Sequence, residues 1–226
     1  MFYDSNRLNI IIGAYGSGKS EISVNIARLM KKSPEDMVLL ADMDIVNPYY
    51  RSADAKDILE SEGIRVIVPS YANSNVDAPV LTGEIYVIFD DERYKGVFDI
   101  GGEDMGANVL GSLKSRIAGT ECGLYMVVNT LRPFTADIDG IAREAAALQD
   151  AAGMKITGYI NNTNLLEDTT EEAVREGEAL MIKAAELTGI PLVATAVYAP
   201  LLTDKLKAEL KAPEVFPVER TIHYKY

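Results

Sequence analysis

Gly13-Ala14-Tyr15-Gly16-Ser17-Gly18-Lys19-Ser20 fits the pattern G-x-x-x-x-G-K-[ST], and no other stretch of this chain restricts its fold as tightly. Glycines let the backbone enter conformations that a Cβ forbids. Successive N–H groups can therefore turn onto phosphate oxygens at the positive end of a helix. In this pattern Gly13, Tyr15, Gly16, Ser17 and Gly18 form the cradle, Lys19 reaches the β- and γ-phosphates, and the Ser20 hydroxyl is offered to Mg²⁺. The motif requires a strand before it and a helix after it. Leu8-Asn9-Ile10-Ile11-Ile12 is a short β-branched run of the kind that forms a buried strand. Downstream, Ile22, Ile26, Leu29 and Met30 recur at helical spacing until Ser33-Pro34 stops the helix. A glycine-rich turn that binds nothing would need neither flank.

With 226 residues and 48% apolar content, the chain can bury one large core, and a single domain over 1–226 is expected. No apolar run approaches the ~20 residues that span a bilayer. The N-terminus Met1-Phe2-Tyr3-Asp4-Ser5 has no basic region leading into a hydrophobic stretch, so a cytoplasmic location is expected. Cys122, the single cysteine, excludes an internal disulfide and a thiolate-rich zinc or iron–sulfur site, and it reads as core packing. A formal net charge of −12 repels nucleic acid on average, leaving only a local basic patch as a route to it. His223, the single histidine, stands in the terminal segment and reads as solvated.

Strand and helix patterns then alternate to the end. Met37–Ala41 reads as a second strand, followed by Asp42, Asp44, Asn47 and Pro48; two carboxylates at a strand's C-terminal end are where open α/β sheets bind ligands. A helix over Asp54–Glu62 ending at Gly63 precedes a third strand, Ile64–Val68. Tyr71–Pro79 reads as loop, and Val80–Asp91 is compatible with helix or strand, with helix preferred between parallel strands. Val97-Phe98-Asp99-Ile100-Gly101-Gly102 has the form of a strand whose aspartate holds a Mg²⁺ shell, with Gly102 placed to sense a γ-phosphate. A helix over Val109–Ile117 and a strand over Leu124–Asn129 follow. Thr135 is expected to cap a helix that presents Ile138, Ile141, Ala145 and Leu148 and stops at Gly153. Ile156–Ile160 brings Asn161, Asn162, Thr163 and Asn164 to the same rim as the loop. Thr169-Thr170-Glu171-Glu172 reads as a capping box for a helix that ends at Gly189. Leu192–Val197 reads as the last clear strand and Leu201–Leu210 as the last helix. The stretch from Pro213 to Tyr226 is expected to pack on the body or on a partner. The architecture these elements imply is α/β, a mostly parallel sheet with helices on both faces.

Taken together, Gly13 to Ser20, Asp42-x-Asp44, Asp99-Ile100-Gly101-Gly102 and the asparagine-rich rim resemble the SIMIBI-class P-loop NTPases of the MinD/ParA and cobyrinate-amidating type. The resemblance covers most of the chain and implies a P-loop NTPase sandwich binding ATP and Mg²⁺. It also implies that Lys19, Asp42, Asp44 and Asp99 do the chemistry, that Ser20, Asp42 and Asp99 organise the metal, and that Asn162 reads adenine. The family's signature lysine early in the loop is Ala14 here. A homodimer closing around ATP would therefore lack its bridging cation, for which Arg51 is the substitute at hand. No Asn-Lys-x-Asp guanine-reading element is present, which by resemblance favours adenine.

Three functions share this cradle. One is a slow ATPase whose segment from Asp99 to Gly106 switches on hydrolysis and is read by a protein partner. The second is a kinase or ATP-dependent ligase passing the γ-phosphoryl to a small-molecule acceptor near Asn47, Tyr49, Tyr50 and Arg51. The third, a module that only binds nucleotide, would leave Asp44 and Asp99 idle. One cysteine and one histidine make a metal-carrier role a poor fit.

Overall fold

The structure, a computed structural model, describes residues 1–43, 55–68, 83–101 and 104–222, the last with backbone alone for 104–109. Eight strands form one sheet: β1 (Leu8–Ile12), β2 (Met37–Met43), β3 (Ile64–Ile67), β4 (Tyr94–Ile100), β5 (Cys122–Val128), β6 (Gly158–Asn161), β7 (Leu192–Tyr198) and β8 (Glu214–Val218). Their order is β3-β2-β4-β1-β5-β6-β7-β8, and every neighbouring pair is parallel. The helices are α1 (Lys19–Met30), α2 (Lys56–Ser61), α3 (Val87–Asp90), α4 (Asp104–Ile117), α5 (Ile138–Ala152), α6 (Glu171–Thr188) and α7 (Asp204–Glu209).

An all-parallel sheet must be covered on both faces, and the alternation of side chains along each strand sorts the core into two layers. Ile10, Leu39, Phe98 and Met126 face one layer together with Leu113 of α4, Ile141 and Leu148 of α5 and Met181 of α6. Ile11, Leu40, Val97 and Val127 face the other, with Ile22, Ile26 and Met30 of α1 and Leu59 of α2. The consequence for the site is direct. Residues of β2 and β4 that share parity with Leu40 and Val97, namely Asp42 and Asp99, belong to the α1 face.

Several boundaries depart from the sequence expectations. Helix α4 begins at Asp104 rather than Val109, and β4 begins at Tyr94. The cap of α5 is Asp137, whose carboxylate accepts from the Gly140 N–H at 2.6 Å. Thr135 closes a preceding 3₁₀ turn instead, and its buried hydroxyl donates to the Asn129 carbonyl at 2.7 Å. Thr170 caps α6 through the Ala173 N–H, while Thr169 bonds back to Leu165 and Leu166, so the box is replaced by two separate hydroxyl contacts.

The end of the chain packs on the body, as expected of Pro213 to Tyr226, and does so as a further strand: Glu214–Val218 pairs with β7, with Pro217 opposite Val197. This is the sheet edge, where a residue without an N–H leaves no partner strand unsatisfied on its outer side. Several polar residues hold the end of the chain to the body, and Asn25 exchanges two hydrogen bonds with the backbone of Glu219. Buried Glu178 of α6 accepts from Thr195 Oγ1 at 2.8 Å, the Lys211 N–H at 2.7 Å and the Ala212 N–H at 3.0 Å. Glu21 of α1 accepts from the N–H groups of Thr221 (2.8 Å) and Ile222 (3.1 Å). His223 lies outside the described residues.

Candidate nucleotide site

Strand β1 is fully buried and delivers the chain to Gly13 at the sheet's carboxyl edge, and α1 starts at Lys19. Three glycines make the turn between them. Gly13, Gly16 and Gly18 have φ of +154°, +74° and +86°. A Cβ at Gly13 would collide with the Val127 carbonyl, and one at Gly18 with the Asn162 amide nitrogen. The motif's glycines are thus required by close backbone approach as well as by dihedral angle.

No side chain caps α1, so the N–H groups of its first turn are left for an external acceptor. Ser17 is buried, and its Oγ has no hydrogen-bond partner. Lys19 is also buried, at 8% exposure, and its Nζ lies 3.4 Å from the Ala14 carbonyl, folded back over the loop it follows. Tyr15 is 65% exposed. A buried ammonium, an orphaned hydroxyl and uncapped helix N–H groups carried by one loop and the helix it opens are the donor types a polyphosphate requires.

Asp42 and Asp99 are 2% and 0% exposed and face each other in register across β2 and β4, with Ile11 of β1 the next partner of Asp99. Neighbouring strands lie ~4.8 Å apart, so two carboxylates on one face at the same level repel unless a cation or hydrogen bonds intervene. They stand on the face that carries α1 and Ser20. The donor chemistry, hard oxygens from two carboxylates and a hydroxyl, suits Mg²⁺. Asp44 and Gly102, expected at this rim, lie outside the described residues, as do Asn47, Tyr49, Tyr50 and Arg51.

The opposite flank was legible only in part. Asn162 is buried and donates from Nδ2 to the Ser17 carbonyl at 2.8 Å, while its Oδ1 accepts from Asn164 at 2.9 Å. Its amide therefore holds the phosphate loop from outside. Arg132, which nothing in the sequence singles out, donates from Nε to the Gly16 carbonyl at 3.0 Å. Glu144 of α5 feels the Lys19 charge: burial raises its carboxyl above the usual range and the ammonium partly offsets that. Cys122 is remote from the loop, and burial pushes its thiol up to about 12, which fits a packing role.

No protein-family model and no curated protein matches the sequence. Among solved structures, FtsY from Mycoplasma mycoides superposes with a TM-score of 0.53 at 19% identity, covering 85% of this chain. The chain spans 62% of that FtsY chain. A ParA family ATPase from Chlorobium tepidum TLS gives a TM-score of 0.44 at 18% identity, over 90% of this chain and 88% of its own. The signal recognition particle receptor FtsY from Elizabethkingia anophelis gives 0.41 at 14%, over 95% and 59%. No helix among the described residues is long and apolar enough to cross a membrane. The likeness to the Mycoplasma mycoides protein is one of fold: a parallel α/β sheet covered by helices on both faces, with a glycine loop between its first strand and first long helix.

Proposed function

We propose that this protein binds ATP with Mg²⁺ and hydrolyses it slowly, under the control of a protein partner. The observation that carries the reading is the pairing of a glycine-built phosphate loop with two buried carboxylates, Asp42 and Asp99, in register on the face that carries α1. Lys19 supplies positive charge to the β- and γ-phosphates, a role in which a buried ammonium is stronger than in water. The Ser20 hydroxyl and the Asp42 and Asp99 carboxylates would hold Mg²⁺. Bound there, the ion neutralises charge that develops on the phosphoryl oxygens. The N–H groups at the start of α1 orient the phosphates without reorganising.

Ala14 is buried, and a side chain ending at Cβ brings no cation to a second nucleotide. A cation supplied in trans is worth ~10³ to 10⁵ in rate where it operates, so turnover by the isolated chain is slow in this reading. The test is phosphate release from Mg–ATP, with EDTA as control, followed against protein concentration together with sedimentation in ATP and ADP. Slow, concentration-independent turnover supports the reading. Fast turnover that rises steeply with concentration, with ATP-dependent dimers, overturns its slow, lysine-free part. Turnover that appears only when small metabolites are added, with the phosphoryl group on an acceptor, replaces it with a kinase or ligase.

A further inference from the structure

The strands on either side of β1 assign different work to the two flanks of the loop. Asp42 and Asp99 stand on β2 and β4, whereas the loops after β5 and β6 lie on the other side. If the metal and the γ-phosphate belong to the acidic flank, the nucleoside leaves toward β5 and β6. There two side chains grip the outer carbonyls of the loop, Arg132 on Gly16 and Asn162 on Ser17.

Arg132 is presented by a stiff turn. Its N–H donates to the Asn129 carbonyl at 3.1 Å, its own carbonyl accepts from Thr135 at 3.0 Å, and Pro133 follows it. Its Nε, Cδ and Cζ lie 3.4 to 3.8 Å from where a Gly16 Cβ would stand, so the guanidinium lies in van der Waals reach of the loop at Gly16, whose φ of +74° favours glycine. Among the described residues, no carboxylate forms an ion pair with it.

The amides of the same rim are committed elsewhere. Asn129 bonds the Asn164 carbonyl and the Leu131 N–H. Asn162 and Asn164 bond each other, Ser17 and the Leu166 N–H. Asn161 accepts twice from Thr163, and its remaining Nδ2 is sealed in the sheet at 0% exposure. A base arriving here meets a planar cation and few free hydrogen-bonding edges.

We propose that Arg132 is the base platform of this site: a purine stacks on its guanidinium, and adenine and guanine are accepted with little discrimination. The proposal rests on the P-loop reading above. Arginine planes stack on aromatic faces, and stacking tolerates different bases because each has a π-face. Strong discrimination between purines would need free polar groups that go unpaired with the wrong base.

The experiment is calorimetric titration of Mg–ATP, Mg–GTP and Mg–tripolyphosphate into wild type, Arg132→Ala and Lys19→Ala. Wild type should bind ATP and GTP within about tenfold of each other, and Arg132→Ala should weaken both by about 3- to 30-fold. Tripolyphosphate, which has no base, should bind Arg132→Ala as it binds wild type, and this also shows that the loop is intact in the variant. Equal loss of tripolyphosphate and ATP would place Arg132 on the phosphates or in the shape of the loop and overturn the proposal. So would a wild-type preference for one purine beyond about 100-fold, the mark of edge recognition. Lys19→Ala should weaken all three ligands; if it weakens none, the P-loop reading itself fails and takes the platform with it.

Discussion

The side-chain amide of Asn162 donates to the Ser17 carbonyl at 2.8 Å, across 145 residues of sequence. The loop after β6 therefore braces the glycine loop through a carbonyl, while the N–H groups at the uncapped start of α1 are left for a ligand. The same nitrogen occupies the space that a Cβ on Gly18 would need.

Gly18→Ala should accordingly fail on two counts, since its φ of +86° is strained for any L side chain and the brace must move. The expected cost is about 1–3 kcal/mol, read from urea denaturation, with weaker nucleotide binding. Removing Asn162 in the same background should not restore stability, because the dihedral strain stays. Full rescue by Asn162→Ala would show that the collision alone matters.

Lys19→Ala removes the buried ammonium that folds back to Ala14. Hydrogen bonds to charged groups contribute about 1.5–3 kcal/mol, so Mg–ATP affinity should fall about 10- to 150-fold while the circular dichroism spectrum is unchanged. Calorimetry showing wild-type affinity would end the phosphate-loop assignment.

Asp99 lies in register between Asp42 and Ile11, near the carboxyl ends of their strands. Asp99→Asn keeps the shape and removes the charge, so Mg²⁺-dependent turnover should drop more than ATP affinity does. A Mg²⁺ titration of activity distinguishes the outcomes. An unchanged curve returns Asp99 to a structural role.

Glu21 supplies a pH test of the C-terminal segment. Burial raises its carboxyl above the ordinary value, and the Thr221 and Ile222 N–H bonds offset only part of that shift. A raised folded-state value favours the protonated form, so the stabilisation is present at acid pH below the ordinary value and is lost as pH rises through the folded value. Relative to Glu21→Gln, wild type should lose stability between pH 4 and pH 7. Denaturation curves in which wild type instead gains over that range would mean that the two backbone hydrogen bonds outweigh burial.

Glu178 holds three donors at the approach to β8. Glu178→Ala orphans them and should cost about 2–4 kcal/mol, with early hydrogen exchange in Glu214–Val218. Exchange in that strand unchanged from wild type would show that pairing with β7 suffices to hold it.

The phosphate loop, its strand and its helix were legible in the sequence because all their determinants are local: glycines at fixed offsets, a five-residue apolar run and helical periodicity. The parallel sheet followed from the same alternation. Asp99 was legible as well, since an apolar run ending in Asp-Ile-Gly-Gly is itself a local pattern. What the sequence could not carry was anything set by pairing between distant segments. Leu192–Val197 read as the last clear strand, and only the topology adds Glu214–Val218 beyond it, at an edge where the missing N–H of Pro217 does no harm. Thr135 and Asp137 are both good caps by type, and tertiary contact with Asn129 drew Thr135 away. Asn162 carried a base-reading expectation by resemblance alone, and only the tertiary structure shows its amide donating to the Ser17 carbonyl. Arg132 carried no expectation, because a lone arginine before a proline has no periodicity or spacing to betray it. Only the placement of β5 beside β1 brings its guanidinium onto the Gly16 carbonyl, because that contact joins segments 116 residues apart in sequence.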